Sequence, residues 1–135
     1  RTIKLGDHSH IAADCFLHGP LTIGNHVSIN HGVSMDGGSQ GIHIGDNSRI
    51  ATGCQFFAFN HGTEANLLIR EQPVSSKGIT IGCDVWVGAN VCITDGVSIG
   101  DKAVIAMGSV VTRDVLPGLT VGGNPAEPLR HGSRV

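Results

Sequence analysis

His61 stands where a regular pattern stops: Phe56, Phe57 and Phe59 precede it, and an irregular stretch runs on to Lys77. An imidazole with its unperturbed pKa near 6.5 is largely neutral at pH 7 yet can still take a proton, which suits general-base chemistry. The same stretch carries Asn60 and Glu64, and a shorter break from Asp36 to Gly41 follows closely on Asn30. Asn30, Asp36 or Glu64 could fix the tautomer of such a ring or hold a substrate; each is also a type that caps solvated corners. Seven other histidines, His8, His10, His18, His26, His31, His43 and His131, mean that position rather than residue type singles out His61.

The elements that position these residues are written in a six-residue period. Leu5, Ile11, Leu17, Ile23, Ile29 and Met35 form one run; Ile44, Ile50 and Phe56 follow after a slip of three. Ile81, Val87, Ile93, Ile99, Ile105 and Val111 resume after the long interruption. A second lattice, mostly of small or β-branched residues, lies two positions earlier, as in Leu21, Val27, Val33, Ser48, Cys54, Val85 and Ser109. Residues two apart on a strand share a face, so both lattices point inward, while Asp7, Asn25, His26, Asp46, Asn47, Asp101 and Lys102 are left for water. Gly or Ala after many of the large aliphatics marks sharp corners. A helix would need spacing near 3.6 and an ordinary sheet would lack the hexad punctuation. The pattern predicts an all-β solenoid of parallel strands: a triangular prism with three hexads per turn and about five coils. Trp86 follows inward Val85, so alternation turns it outward.

Composition bounds the rest. A chain of 135 residues has room for one domain, read here as 1–135 with an extruded loop at about 60–78 and a C-terminal segment at 116–135. A net charge of −2 with nine Lys and Arg spread along the chain supplies no basic field for nucleic acid. No apolar run approaches a membrane span, so no membrane insertion is expected. Cys15, Cys54, Cys83 and Cys92 lack C-x-x-C spacing and lie among aliphatics, which reads as small buried thiols in a reducing cytoplasm. The hydrophobic pattern is under way by Ile3, which leaves room for a natural segment before Arg1.

The hexads resemble the hexapeptide-repeat acyltransferases, whose signature Ile81-Gly82-Cys83-Asp84-Val85-Trp86 and Ile105-Ala106-Met107-Gly108-Ser109-Val110 match. That resemblance implies a left-handed parallel β-helix. Phe59-Asn60-His61, the extruded loop, and the stretch from Lys77 through Trp86-Val87-Gly88-Ala89-Asn90 resemble the sugar O-acetyltransferase branch, which includes galactoside, maltose and Nod-factor enzymes. Ile69-Arg70-Glu71-Gln72-Pro73 is also similar to acetyltransferases of polysaccharide assembly. The resemblance makes His61 the catalytic base and the Ala89 N–H the oxyanion donor. Asn30, Asp36, Asn60, Glu64 and Trp86 fall at the acceptor. Gly108-Ser109-Val110-Val111-Thr112-Arg113-Asp114 and Gly123-Asn124-Pro125-Ala126 resemble the elements bordering the acetyl-CoA groove. On that reading Gly88, Ala89, Met107, Gly108, Thr112, Arg113, Pro125 and Arg130 meet the coenzyme. Glu127 departs from the family, which usually has a cation there, and would repel a phosphate.

The implied activity is transfer of acetyl from acetyl-CoA to a hydroxyl of a sugar or polysaccharide precursor, without metal. The resembling enzymes are homotrimers with sites between subunits, so His61 and the Ala89–Arg113 groove are expected on different chains. Two alternatives remain at this point. His26 and His31 reproduce an H-x-x-x-x-H spacing of γ-class carbonic anhydrases, although the supporting Arg and Gln pattern is missing. A bare interaction solenoid would account for the many polar corners, but not for the His loop or the Gly-Asn-Pro-Ala element.

Overall fold

The computed structural model describes residues 2–133, with side chains to residue 129. The chain winds through three sheets. The first holds Ile3–Leu5, Leu21–Ile23, Ile42–Ile44, Ile79–Ile81 and Ser98–Ile99. The second holds His10–Ile11, Ser28–Ile29, Arg49–Ile50, Trp86–Val87 and Val104–Ile105, then Leu119–Gly123 and Ala126–Ser133. The third holds Phe16–His18, Ser34–Asp36, Gln55–Phe57, Cys92–Ile93 and Val110–Val111. Every coil visits the three faces in turn, which yields five complete coils of the expected triangular column.

Register follows the lattices. Leu5 pairs with Ile23, Ile23 with Ile44, Ile44 with Ile81 and Ile81 with Ile99, all in parallel. The break at Asp36–Gly41 and the long loop are therefore expelled from the column without shifting it. From Leu21 onward both lattices are buried in one continuous core cluster. The first coil differs: Leu5 is 48% exposed and Ile11, Cys15 and Leu17 only half-buried, because no coil among the described residues stacks on their outer side. The C-terminal segment is more ordered than a tail: Leu119–Gly123 continues the second face beside Val104–Ile105, and Ala126–Ser133 folds back antiparallel on it.

Polar members of the inner lattice hold the corners. The Ser48 hydroxyl donates to the Gly82 carbonyl at 2.8 Å and accepts the Val85 N–H at 3.0 Å, so one buried side chain satisfies both ends of the next corner. Ser9 does the same for Gly24 and Val27. On the outer side of the same corners, the Asp46 carboxylate accepts the Asn25 N–H and Asp101 that of Cys83, both at 2.8 Å. Cys54 is the buried thiol expected; burial pushes its pKa up to about 11, so it packs as an inert thiol. Cys15 and Cys92 are half-buried. Cys83 departs from the expectation: it is exposed, because it follows Gly82 on the outside of a corner.

The long loop is not irregular throughout. Asn60–His61 pairs antiparallel with Val74–Ser75, and a short 3₁₀ turn spans Ile69–Glu71. Buried Gln72 ties the interior together: its amide donates to the Glu64 and Leu67 carbonyls and its oxygen accepts the Glu64 N–H. Ser76 joins this ribbon to the earlier break, donating to the Ala58 carbonyl at 2.6 Å and accepting the Gln40 N–H at 3.1 Å. Gly38 in that break has φ of 59°, and a side chain there would strike the Ala58 carbonyl. Asp95 accepts the Lys77 and Gly78 N–H groups at 2.9 Å where the chain rejoins the first face.

Ser48→Ala should destabilise the protein by about 1–3 kcal/mol by stranding a buried N–H and a carbonyl, read as a lower midpoint in chemical denaturation. Gln72→Ala should leave that midpoint near the parent value yet raise hydrogen exchange across residues 62–72; unaltered protection there would mean that other contacts order the loop.

Candidate functional site

Two concave regions lie at opposite ends of the third face. The first sits where the chain leaves that face. Adjacent coils place His18 beside Asp36 and Asp36 beside Phe57, and the two interruptions close over them. The result is a cavity of about 340 Å³ lined by His18, Asp36, Ser39, Phe59, Val74 and Ser76. Asp36 Oδ1 accepts the Gly38 N–H at 3.0 Å and lies 3.3 Å from His18 Nδ1. A carboxylate only accepts, so His18 Nδ1 carries the proton of that contact.

His61 is not one of the lining residues, but it is adjacent to two of them, Phe59 and Val74. It is directly opposite Val74 in the two-stranded ribbon, and cross-strand partners put their side chains on the same face. Its exposed ring meets Phe59 edge-on with centroids 5.9 Å apart. Among the described residues the His61 ring has no side-chain hydrogen bond, so neither nitrogen is committed. The expected tautomer-fixing groups do not reach it: Asn30 Oδ1 caps the neighbouring His31 N–H, Asp36 faces His18, and Glu64 is held by its backbone while its side chain is exposed. Asn60 is exposed beside His61 and contributes, with Phe57 and Phe59, to a shallow hollow of about 170 Å³ on the outside of the third face.

His18 was missing from the sequence-based site. Its signal was present: His18 and Asp36 are eighteen residues apart, which is one full coil, but both fall outside the two inner lattices.

The second region lies at the corner where the chain passes from the second face to the third. A cavity of about 460 Å³, almost wholly apolar, is walled by Trp86, Gly88, Ala89, Ala106, Met107 and Thr120 among others. Gly88 must be glycine here, since a side chain would press on the Met107 backbone at 2.7 Å. The Ala89 carbonyl accepts the Gly108 N–H at 2.8 Å, while its own N–H donates to no described residue. The N–H groups of Thr52 and Met107 at the same corner are likewise uncommitted, and Met107 lines the same apolar cavity, so only Thr52 is set apart from Ala89 by it. Trp86 points outward as alternation requires and is 57% exposed. Within this chain it belongs to the same cavity as Gly88, Ala89 and Met107 rather than to the one beside His61.

The remaining expected coenzyme residues lie farther along. Arg113 and Glu127 form an exposed ion pair beside a smaller depression that also includes Asp114 and Pro128. Glu127 thus occupies the cation expected for a phosphate. Gly108, Thr112 and Pro125 are exposed and outside both cavities, and the Arg130 side chain lies outside the described residues. His26 stacks on His8 at 5.0 Å and His31 reaches Thr52, so the two members of the H-x-x-x-x-H spacing do not converge. Among the described residues no group of three His, Cys, Asp or Glu could hold a metal ion, and no helix is long and apolar enough to cross a membrane.

This geometry can be set beside known proteins. The family model described as hexapeptide repeat of succinyl-transferase matches residues 20–55 and 78–113, stopping on either side of the extruded loop. Galactoside O-acetyltransferase of Escherichia coli is 38% identical over 67% of this chain and 44% of its own length. Chloramphenicol acetyltransferase of Morganella morganii is 33% identical over 91% of this chain and 60% of its own length. The chain therefore spans about half the length of these curated relatives. A crystal structure of a hexapeptide-repeat-containing acetyltransferase from Vibrio cholerae, complexed with acetyl coenzyme A, superposes with a TM-score of 0.88. It is 36% identical, and the match covers 98% of this chain and 72% of that one. With the repeat matched over more than half its length and its coils stacked as the repeat demands, this chain belongs to the hexapeptide-repeat acyltransferase family.

Proposed function

We propose that the protein is an acetyl-CoA-dependent O-acetyltransferase whose acceptor is a hydroxyl of a sugar or polysaccharide precursor, with His61 as general base. The observation that supports this reading is the uncommitted His61 ring, packed on Phe59 and paired across the ribbon with Val74, next to a cavity that these two neighbours line together with a carboxylate and hydroxyls. Carboxylate and hydroxyl groups beside Phe59 offer hydrogen bonds to the ring hydroxyls of a sugar and an apolar face to its C–H surface.

The apolar groove at Trp86, Gly88, Ala89 and Met107 fits the pantetheine arm of acetyl-CoA, a slender chain that needs a narrow wall and backbone partners more than charge. When bound, acetyl-CoA supplies the acetyl group as a thioester. On this reading His61 takes the proton of the acceptor hydroxyl as that oxygen attacks the thioester carbon, and the Ala89 N–H meets the negative charge developing on the acyl oxygen. Collapse then breaks the carbon–sulfur bond, coenzyme A leaving as the thiol with the proton returned by His61. A main-chain donor explains why an alanine side chain suffices there.

These groups cannot serve one reaction within a single chain. Ala89 and His61 flank the third face, and a strand rising ~3.3 Å per residue separates the two ends by more than about 15 Å. A homotrimer in which the His61 ribbon of one subunit meets the Ala89 groove of the next resolves the separation. Leu67, Leu68 and Ile69 support it: each is left about half exposed on the ribbon by the described residues.

His61→Ala should lower kcat for acetyl transfer to a glycoside acceptor by about 10²–10⁴-fold while coenzyme A still binds, as read by thiol release and calorimetry. Full activity would remove His61 from the mechanism. Glu127→Ala should free Arg113 and tighten coenzyme A binding by up to about fivefold, the scale of an exposed ion pair. Unchanged binding in both Glu127→Ala and Arg113→Ala would take this pair out of the coenzyme site.

A further inference from the structure

His18 is the one titratable side chain in the His61-side cavity that the proposed reaction leaves without a task. Asp36 presents its two oxygens unequally. Oδ1 is taken twice, by the Gly38 N–H and by His18 Nδ1, whereas Oδ2 has no partner among the described residues. With Nδ1 donating, the Nε2 of a neutral His18 ring is left as a hydrogen-bond acceptor, and it too has no partner among the described residues. Both groups are part of the cavity wall, half-buried, with Phe59 and Val74 as its apolar part.

We infer that His18 is a positioning and specificity-determining residue for the acceptor: by holding Asp36 Oδ1 it aims Oδ2 into the cavity. Together Oδ2 and Nε2 offer two adjacent hydrogen-bond acceptors. Such a pair suits a neutral acceptor with two neighbouring hydroxyls to donate, and disfavours an acceptor carrying its own carboxylate or phosphate beside the reacting hydroxyl. Ser76 is more constrained than either group, because its hydroxyl proton goes to the Ala58 carbonyl and one of its two lone pairs to the Gln40 N–H. The inference rests on the acetyltransferase reading above and adds to it the residue that selects the acceptor.

The test uses the purified protein with acetyl-CoA and a panel of p-nitrophenyl glycosides, following thiol release. For the glycoside turned over best, His18→Ala should raise the acceptor KM about tenfold, with kcat and the KM for acetyl-CoA within about threefold of the parent. His18→Asn, whose amide can still donate to Asp36, should recover part of the loss. An unchanged acceptor KM in His18→Ala, an equal rise in the KM for acetyl-CoA, or an asparagine variant as impaired as the alanine one would each overturn the assignment of His18. A parent protein that acetylates no glycoside of the panel would overturn the functional reading, and this inference with it.

Discussion

The molecule depends on one constraint: each coil must hydrogen-bond to the next in register, because a solenoid has no other way to satisfy the backbone of its short strands. Leu5, Ile23, Ile44, Ile81 and Ile99 stack in one line because shifting any of them would break both the inter-coil bonds and the packing of the inner lattice. Burying one such aliphatic is worth about 1.5–3 kcal/mol, so every coil enforces the phase of its neighbours. Chemistry on the outside inherits that order. A side chain's partner is the residue one coil away, which is how His18 comes to Asp36 and the Gly88–Ala89 corner to Met107.

Variation is confined to the corners by the same constraint. The column absorbs a slip of three residues before Ile44 and a much longer excursion before Ile81, and the lattice resumes unchanged on both occasions. What keeps the longer excursion ordered is local. Gln72 satisfies its interior, the pairing of His61 with Val74 closes its neck, and Asp95 holds its return. A rigid frame carrying one well-braced ribbon is a sound way to fix an imidazole, since its position is set by backbone bonds rather than by a flexible stem.

The two cavities lie at opposite ends of one face of the column. An apolar groove at a corner and a polar cavity closed by loops are made by different parts of the repeat. Glu127 pairs with Arg113, so the charge of that cation is balanced within the chain.

The inner lattices, the corners, the outward Trp86 and the emergence of His61 at an interruption were all legible in the sequence. Each follows from a period, and a period is carried by residue type alone. Three features were not read from it, although the one-coil spacing of His18 and Asp36 was there to find. Gln72 organises the ribbon, His18 faces Asp36 across a coil, and Trp86 shares a wall with Met107 rather than with His61. These depend on which side chains meet once coils are stacked and loops folded back, and no local pattern encodes a hydrogen bond between corners. The sequence by itself determined the solenoid and the sites where its pattern breaks, because burial of a repeated apolar position admits one solution. Only the tertiary structure decided which polar groups converge at those breaks, because their contacts arise from stacking distance and loop closure rather than from periodicity.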